Sequence, residues 1–398
     1  MPKYNKSMQV IPLLIEEPTL ALAAARAQRN VNLKEKLPPM VRGRVAHTIG
    51  FMTELDLDPT FTTAPDQVGI ANSLRSVQFT AEGGRLMVQG AGGGFQGPDL
   101  RALEAFENSG RLVSPDPDLN GGSTNNFYST RVLDFGPGGF VGNPSDFAIP
   151  NVLMDTAVLS LEAPALTDIS ADTTAGTVIQ RTFALLIPLQ SVRIPPKVEV
   201  RAFSVSGNAL ELGERALYLS LFYCNSALHD AIAGGDFNNF TLVDRDGPVF
   251  NSVPAEILGR QFAVQNAPGQ FAIIQGEPRA AQDDNYKVVN GATPTALVSP
   301  TAAYQAVLWN PDGARINKVE VEGPIRLTHD GTQATAYAIC RRILPRGEKE
   351  ATELAIVAFT KLGLKFTGGK VKTDSKQPFR NGRRIEYMPW DFGYAAAA

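Results

Sequence analysis

The chain has 398 residues, of which 43% are hydrophobic and 19% are charged, and its formal net charge is −3. This length is typical of two domains, and this composition can bury a sizeable core, which excludes a globally disordered protein. No apolar run reaches the ~18 residues of a membrane-spanning helix, and no apolar leader precedes a small-residue cleavage site. We therefore expect a soluble protein that is made in a reducing compartment and is not secreted.

The charge is distributed unevenly along the chain. Residues 1–45 carry eight Lys/Arg against three Glu, a net of +5, and residues 346–398 carry ten Lys/Arg against six acids, a net of +4. The remaining residues must then carry −12, because the whole chain sums to −3. Basic ends on an acidic body indicate termini that face a membrane surface, a nucleic acid or a neighbouring subunit. The alternative is that both ends are solvated tails.

Residues 1–40 are predicted to form an N-terminal arm. Five prolines interrupt this stretch, and between them LALAAARAQRN (20–30) consists mostly of strong helix formers. Arg26 and Arg29 fall near the end of that run, where positive charge favours a helix. A helix of about eleven residues is marginal in isolation, so we expect it to lie against another surface.

The body is predicted to be all-β, divided between residues 41–205 and residues 206–345. Short apolar runs separated by Gly and Pro fill both parts, and no fixed-period repeat is visible. SVQFT and RLMVQ read as a hairpin, whereas residues 114–150 read as one long irregular loop. In RALYLSLFYC, strict alternation would place Leu217, Leu219, Leu221 and Tyr223 on one face. The pattern favours two antiparallel sandwiches of the jelly-roll kind.

Residues 346–398 are predicted to form a helix, GEKEATELAIVAFTKLG, followed by an extended C-terminal segment. That segment combines Arg383 and Arg384 with aromatic residues that include Trp390 and Phe392. Basic and aromatic residues together are compatible with nucleic-acid contact. Anchoring of the aromatic rings in pockets of the body or of a neighbouring subunit is the preferred interpretation. The predicted assembly contacts are Arg26, Arg29, Arg383, Arg384, Trp390 and Phe392.

No motif in the sequence indicates catalysis or a cofactor, and the acidic pairs Asp116/Asp118 and Asp283/Asp284, which could bind a cation at a loop, are interpreted as solvated acidic turns because they lack the spacing of a calcium loop. Gly92, Gly94 and Gly97 match a dinucleotide fingerprint, but no parallel strand follows, so a glycine-rich loop is the simpler interpretation. The three histidines are far from one another in the sequence, and the two cysteines lie in separate strand-like runs without metal-ligand spacing. We expect neither a cofactor nor a bound metal, and we expect that the protein is not an enzyme.

Three stretches of the body resemble the major capsid proteins of tailless, membrane-containing bacteriophages, in the double jelly-roll lineage of the adenovirus hexon. They are VRGRVAHTIGFMTELDL (41–57), GIANSLRSVQFTAEGGRLMVQG (69–90) and TTAGTVIQRTFALLIPLQ (173–190). The resemblance implies two eight-stranded jelly rolls per subunit, three subunits per pseudo-hexagonal capsomer, and an N-terminal helix near a lipid vesicle. It also implies that the loops at 114–150 and 276–300 form outer towers or contacts between subunits.

The function that we predict is therefore a virion structural protein, a major capsid subunit that builds an icosahedral shell. Its expected partners are copies of itself in a homotrimer and then a capsid lattice, other capsid proteins such as a penton, and an internal lipid membrane. No specific nucleic acid is expected, and the expected location is the virion after synthesis in the host cytoplasm. The alternative function is a spike or fibre-type β-sandwich protein that recognises a host receptor or carbohydrate.

Overall fold

A computed structural model describes most of the two predicted sandwiches and part of both ends. The residues described are 9–16, 29–63, 74–81, 86–90, 95–97, 99–100, 103, 122, 124, 127–136, 147–163, 165–170, 172–224, 235–255, 257–258, 304–309, 321–333, 335–364 and 390–392. The candidate loop at 276–300 lies outside them.

Strands dominate the described residues. In the first half they are β1 (Gln9–Glu16), β2 (Arg29–Asn32), β3 (Met40–Val41), β4 (Arg44–Leu57), β5 (Thr60–Phe61), β6 (Ser76–Thr80), β7 (Leu86–Gln89), β8 (Phe127–Asp134), β9 (Ile149–Pro150), β10 (Val158–Glu162), β11 (Thr173–Ala175) and β12 (Val178–Leu189). In the second half they are β13 (Val192–Ile194), β14 (Lys197–Ser206), β15 (Ala209–Leu212), β16 (Leu217–Cys224), β17 (Asn239–Asp244), β18 (Gly247–Pro254), β19 (Tyr304–Trp309), β20 (Val321–Glu322), β21 (Ile325–His329), β22 (Thr335–Leu344) and β23 (Trp390–Phe392). The helices whose bounds the structure describes are α1 (Leu166–Ile169) and α2 (Glu348–Lys361), with a 3-10 turn at Asn151–Leu153. Residues 97, 99, 100 and 103 and residues 255, 257 and 258 are also helical.

The first half of the chain forms an eight-stranded jelly roll. One sheet has the order β1-β12-β4-β8, and the opposing strands have the order β2-β10-β6-β7. Counted along the chain, these are strands 1-8-3-6 and 2-7-4-5 of the roll, which is the jelly-roll order. Phe51 of β4 and Phe79 of β6 join the two sheets, with ring centroids 5.0 Å apart. Alternation along β4 directs Leu55 and Leu57 into this core and leaves Glu54 and Asp56 partly exposed.

The second half repeats the same topology. One set of strands has the order β14-β22-β16-β19, and the facing sheet has the order β15-β21-β17-β18, so the strand numbers within the roll are again 1-8-3-6 and 2-7-4-5. Tyr223 of β16 meets Phe240 of β17 in the core between the sheets, with ring centroids 5.6 Å apart. The predicted all-β fold of two consecutive jelly rolls is therefore confirmed by the strand connectivity.

The two jelly rolls are joined through one continuous sheet. Strand β7 of the first roll pairs in parallel with β14 of the second, and this pairing extends a single sheet across both rolls. Val200 of β14, Leu219 of β16 and Ile339 of β22 belong to the same buried cluster as the core of the first roll. Arg341 also donates from one guanidinium nitrogen to the carbonyl oxygens of Asp134 and Phe135, at 3.1 Å each. The rolls thus share a core and form one packed unit.

The helix predicted after Arg346 is present as α2, and it closes one end of the molecule. Ala355, Ala358 and Phe359 pack against Val45 and the residues of β13. Because small residues face inward, the helix approaches the sheet closely. We refer to this end of the molecule as the α2 end.

The predicted N-terminal arm requires correction. Strand β1 pairs antiparallel with β12 and β2 pairs with β10, so residues 9–16 and 29–32 are the first two strands of the first jelly roll. Pro12 is tolerated because β1 is an edge strand and its register shifts between Pro12 and Leu14. The helical part of the arm is not confirmed, since residues 17–28 lie outside the described part and residues 29–32 are extended.

Two further sequence interpretations differ from the structure. Residues 114–150 are not one irregular loop, because β8 lies within them and pairs with β4 from Leu57 to Gly50. The boundary predicted at residues 205 and 206 falls at the end of β14, whereas β14 pairs with β22 along its whole length and is the first strand of the second roll. The strands of the two rolls therefore span residues 9–189 and 197–344.

Candidate assembly surfaces

Three of the six predicted assembly contacts, Arg29, Trp390 and Phe392, belong to the described residues. Arg26, Arg383 and Arg384 lie outside the described residues. Arg29 is exposed at the start of β2, at the edge of the shared sheet, opposite Leu161 of β10. Trp390 and Phe392 belong to β23, at the α2 end.

Strand β23 confirms an extended C-terminal segment over residues 390–392. It pairs antiparallel with β13, with Trp390 opposite Ile194 and Phe392 opposite Val192. Both Val192 and Ile194 are fully buried beneath α2. The C-terminal strand therefore adds to the structure that holds α2 on the body. That the side chain of Trp390 is the main anchor stays a prediction.

The outer face of α2 carries exposed aliphatic side chains. Ile356 and Val357 are 42% and 41% exposed, in the apolar run LAIVAF at the centre of the helix. Lys361 holds the end of the helix to the body, because its ammonium lies 2.7 Å from a carboxylate oxygen of Asp155 and 3.1 Å from the carbonyl oxygen of Val152. The α2 end is thus a fixed surface with an apolar component.

A buried ion cluster ties the strands of the second roll together near the same end. Arg342, with 1% of its side chain exposed, donates to Glu199 of β14 at 2.7 and 3.0 Å and lies 2.5 Å from Glu214. Glu199 is 3% exposed, whereas Glu214 is 60% exposed. A buried pair of this kind is strongly destabilising to break and fixes the register of β14 against β22. Its role is structural, because the guanidinium of Arg342 is paired with both carboxylates.

Two buried histidines have different surroundings. His47 is fixed by two hydrogen bonds, since its Nδ1 lies 3.1 Å from the carbonyl oxygen of Val45 and its Nε2 accepts from the backbone N–H of Arg193 at 3.1 Å. Burial lowers its pKa to about 3. His329 packs edge-on against Tyr223 and Phe237, and burial lowers its pKa as well. Both rings are therefore neutral core residues near neutral pH.

Cys340 is a buried free thiol, as predicted, and burial raises its pKa to about 12. Across the described ranges, His, Cys, Asp and Glu form no cluster of three or more that could hold a metal ion. Within the same residues, the helices are too short or too polar to cross a membrane.

Sequence reasoning missed two charged turns at the α2 end. One is the β3–β4 turn at Arg42 and Gly43, and the other is the β17–β18 turn between Asp244 and Gly247. The sequence did contain a signal for each turn, because glycine between two strand-like runs marks a hairpin turn. The signals were Arg-Gly in the first turn and Asp-Arg-Asp-Gly in the second. Neither signal indicates which end of the molecule a turn occupies.

Comparison with known proteins gives matches among solved structures alone. No protein-family model matches the chain, and no curated protein matches it. The STIV MCP is 12% identical with a TM-score of 0.46, and the match covers 85% of this chain and 97% of that one. The major capsid protein P2 from bacteriophage PM2 is 11% identical with a TM-score of 0.46, over 86% and 98% of the two chains. PBCV-1 VP54, fitted into a reconstruction of the virophage Sputnik, is 10% identical with a TM-score of 0.43, over 85% and 94%.

These neighbours are similar to the chain in fold. The strand order of the two rolls is established by the structure itself. The chain is a double jelly-roll protein.

Proposed function

We propose that the protein is a virion structural protein, the major capsid subunit, and that three copies form a pseudo-hexameric capsomer. The observation that carries the proposal is the repeated topology, since two eight-stranded jelly rolls of the same strand order stand side by side in one chain. A trimer of such a chain presents six similar units around its axis, and that outline tiles a closed shell. The chain is therefore suited to repeated self-assembly.

The way in which the rolls are joined supports the same function. The parallel β7–β14 pair and the shared buried cluster fix one roll against the other. A fixed angle between the two rolls matters in a shell, because every copy must present the same contacts to its neighbours. A flexible linker between the rolls would instead suit a protein that reaches for a partner, as a spike does.

The remaining features of the proposal follow from this role. The partners are other copies in the capsid lattice, other capsid proteins such as a penton, and an internal lipid membrane. The protein acts in the virion, is made in the host cytoplasm, and needs no cofactor, catalytic activity or specific nucleic acid. The capsid proteins among the structural neighbours agree with this proposal in fold.

Mass measurement and electron microscopy test the proposal directly. The purified chain is expected to form a stable trimer of about 128 kDa, three times 42.7 kDa, which assembles into closed shells or lattice sheets. A stable monomer at micromolar concentration would contradict the trimer. A low copy number in purified virions, with exposed placement at the vertices, would instead identify a spike or fibre protein.

A further inference from the structure

The turn between β3 and β4 holds an arginine in an unfavourable backbone conformation. Met40 pairs with Val45 and Val41 pairs with Arg44, so Arg42 and Gly43 form a two-residue turn. Their φ angles are +52° and +71°. Turns of this kind favour Asn-Gly, because asparagine tolerates the left-handed region far better than a longer side chain does. The conformation of the turn does not favour arginine at the first position. We therefore attribute the presence of Arg42 to a role of its side chain.

The two arginines of this turn are available to a partner. Arg42 and Arg44 are both exposed, and in the part of the chain that the structure describes neither makes an ion pair. Lys34 and Lys36, also exposed, lie in the turn before β3, where the backbone N–H of Lys36 donates to the carbonyl of Leu33. We call Lys34, Lys36, Arg42 and Arg44 the basic hairpin surface; the exposed Glu35 between the two lysines leaves these five residues with a net charge of +3.

The second jelly roll carries an acidic surface around the β17–β18 turn. The side chain of Asp246 is 64% exposed, and Glu214 is 60% exposed. Asp244 accepts hydrogen bonds from two backbone N–H groups of the turn, and Glu322 pairs with both Arg215 and Arg245. We call Glu214, Asp244, Asp246 and Glu322 the acidic turn surface. Arg245 also lies 3.4 Å from Asp246, and Glu214 pairs with the buried Arg342, which Glu199 shares. Counted with Glu199, the five carboxylates outnumber the three arginines, so the surface is negative overall.

The fold places both surfaces at the α2 end, one on each roll. On the first roll, Val45, next to Arg44, packs beneath α2. On the second roll, Leu217 pairs with both Ile343 and Glu322, and Ile343 lies shortly before α2. The backbone N–H of Arg245 donates to the carbonyl of Glu322 at 3.2 Å, which puts the β17–β18 turn at the same level. One chain thus presents a basic turn and an acidic turn at the same height on its two rolls.

We propose that the basic hairpin surface of one copy docks on the acidic turn surface of the next copy. The proposal rests on the self-assembly argued above and names the charged side chains through which the first roll of each subunit meets the second roll of its neighbour. Such head-to-tail contacts close into a ring when the rotation that relates neighbouring copies returns the last copy to the first. Opposite charges at equal height fix the vertical register of neighbours, and like charges disfavour contacts between two first rolls or two second rolls.

Charge reversal and rescue in the full-length chain test this contact. Arg42→Glu and Asp246→Arg should each lower the trimer association constant at least about tenfold at ~50 mM salt, and the effect should shrink at ~500 mM salt. The double variant should recover most of the loss, because the pair is restored with opposite polarity. Arg75→Glu is the control for a charge reversal away from α2, since Arg75 is half exposed and lies beside Glu162 at the far end of β10. Because this variant also breaks the ion pair with Glu162, its thermal midpoint is measured together with its association constant.

A second pair of variants separates assembly from folding. Arg42→Asn should weaken association while leaving the thermal midpoint unchanged or higher, because asparagine suits the left-handed conformation. Ser252→Asn is its control, since Ser252 is the other described non-glycine residue with positive φ, at +49°, and carries no charge. It should leave association unchanged.

The outcomes distinguish the two proposals. A wild-type chain that stays monomeric would contradict the proposed function itself. A trimer that tolerates both single reversals, or that the double variant fails to rescue, would overturn only the head-to-tail contact. Loss of binding to vesicles containing about a third anionic phospholipid in Arg42→Glu, with unchanged association, would also overturn it and assign the hairpin to a lipid surface.

Discussion

Acidification should destabilise the first jelly roll through His47, a residue with no part in the proposed contacts. The ring is fully buried at the start of β4, and its Nε2 must carry a lone pair to accept the N–H of Arg193. Burial, and to a smaller extent the positive charge of Arg193, lower its pKa to about 3. Protonation would break that hydrogen bond beside β13, the strand that supports both α2 and β23.

The size of the effect follows from the difference between the folded and unfolded pKa. In the unfolded chain a histidine has a pKa of about 6.5, so below that pH the unfolded state binds a proton that the folded state refuses. The stability contributed by the neutral ring is complete above pH ~6.5 and falls by about 1.4 kcal/mol per pH unit toward pH ~3. At pH 5 the loss is about 2 kcal/mol.

Denaturant unfolding at pH 7.5 and pH 5 measures this loss when the wild type is compared with His47→Gln. Glutamine offers an oxygen near the position of Nε2 and does not titrate, so the variant should lose about 2 kcal/mol less on acidification. Other titrating groups, including His329, contribute equally to both proteins and cancel in the difference. An equal loss in the two proteins would refute the reasoning.

Two further perturbations address the packing of each roll. Glu199→Ala should lower the free energy of unfolding by about 3–5 kcal/mol in denaturant unfolding, because it leaves Arg342 buried with one partner fewer. The control is Glu211→Ala, which removes a 68% exposed carboxylate and should lower the free energy of unfolding by less than about 1 kcal/mol. Deletion of residues 1–16 removes β1 and uncovers the edge of β12, so the thermal midpoint should fall clearly and aggregation should increase. An unchanged midpoint would mean that β1 is dispensable.

The body of the fold was predictable because its strands alternate cleanly. In KVEVRAFSV, the residues Val198, Val200 and Ala202 were expected on one face, and they enter the shared core together. The pattern failed in β16, where the pairing with β22 shifts register between Tyr218 and Ser220. Leu217 and Leu219 therefore face the first core and Leu221 the second. A bulge leaves little trace in a strand buried on both faces, because nearly every position is buried and no polar face marks the change; the one small polar residue of β16, Ser220, is buried as well.

The N-terminal strands were missed for a different reason. QVIPLLIE is apolar, but its proline argues against a strand in the middle of a sheet, and the helix formers that follow favour an arm. Only the partner, β12, reveals that residues 9–16 occupy an edge, where one side of the backbone needs no hydrogen bond. Long-range pairing of this kind, across some 170 residues of sequence, has no local signature. The same limitation hid β8 inside a stretch rich in Gly, Pro and Asn.

The two rolls have the same strand order, but the described strands from the two ends of the chain pair only around the first roll. The first roll ends with β12, which carries β1 on its free side, and β13 then receives β23 from the other end of the chain. Both termini therefore contribute strands to the part of the body around the first roll, while the second roll is built from one continuous stretch, residues 197–344. In a ring of three chains with alternating first and second rolls, the six units would share an outline but differ in charge at the α2 end. The difference gives each contact a direction, because a basic turn can neutralise an acidic one but not another basic turn. A trimer assembled in this way needs two kinds of surface, and a single chain that carries both supplies them in equal number.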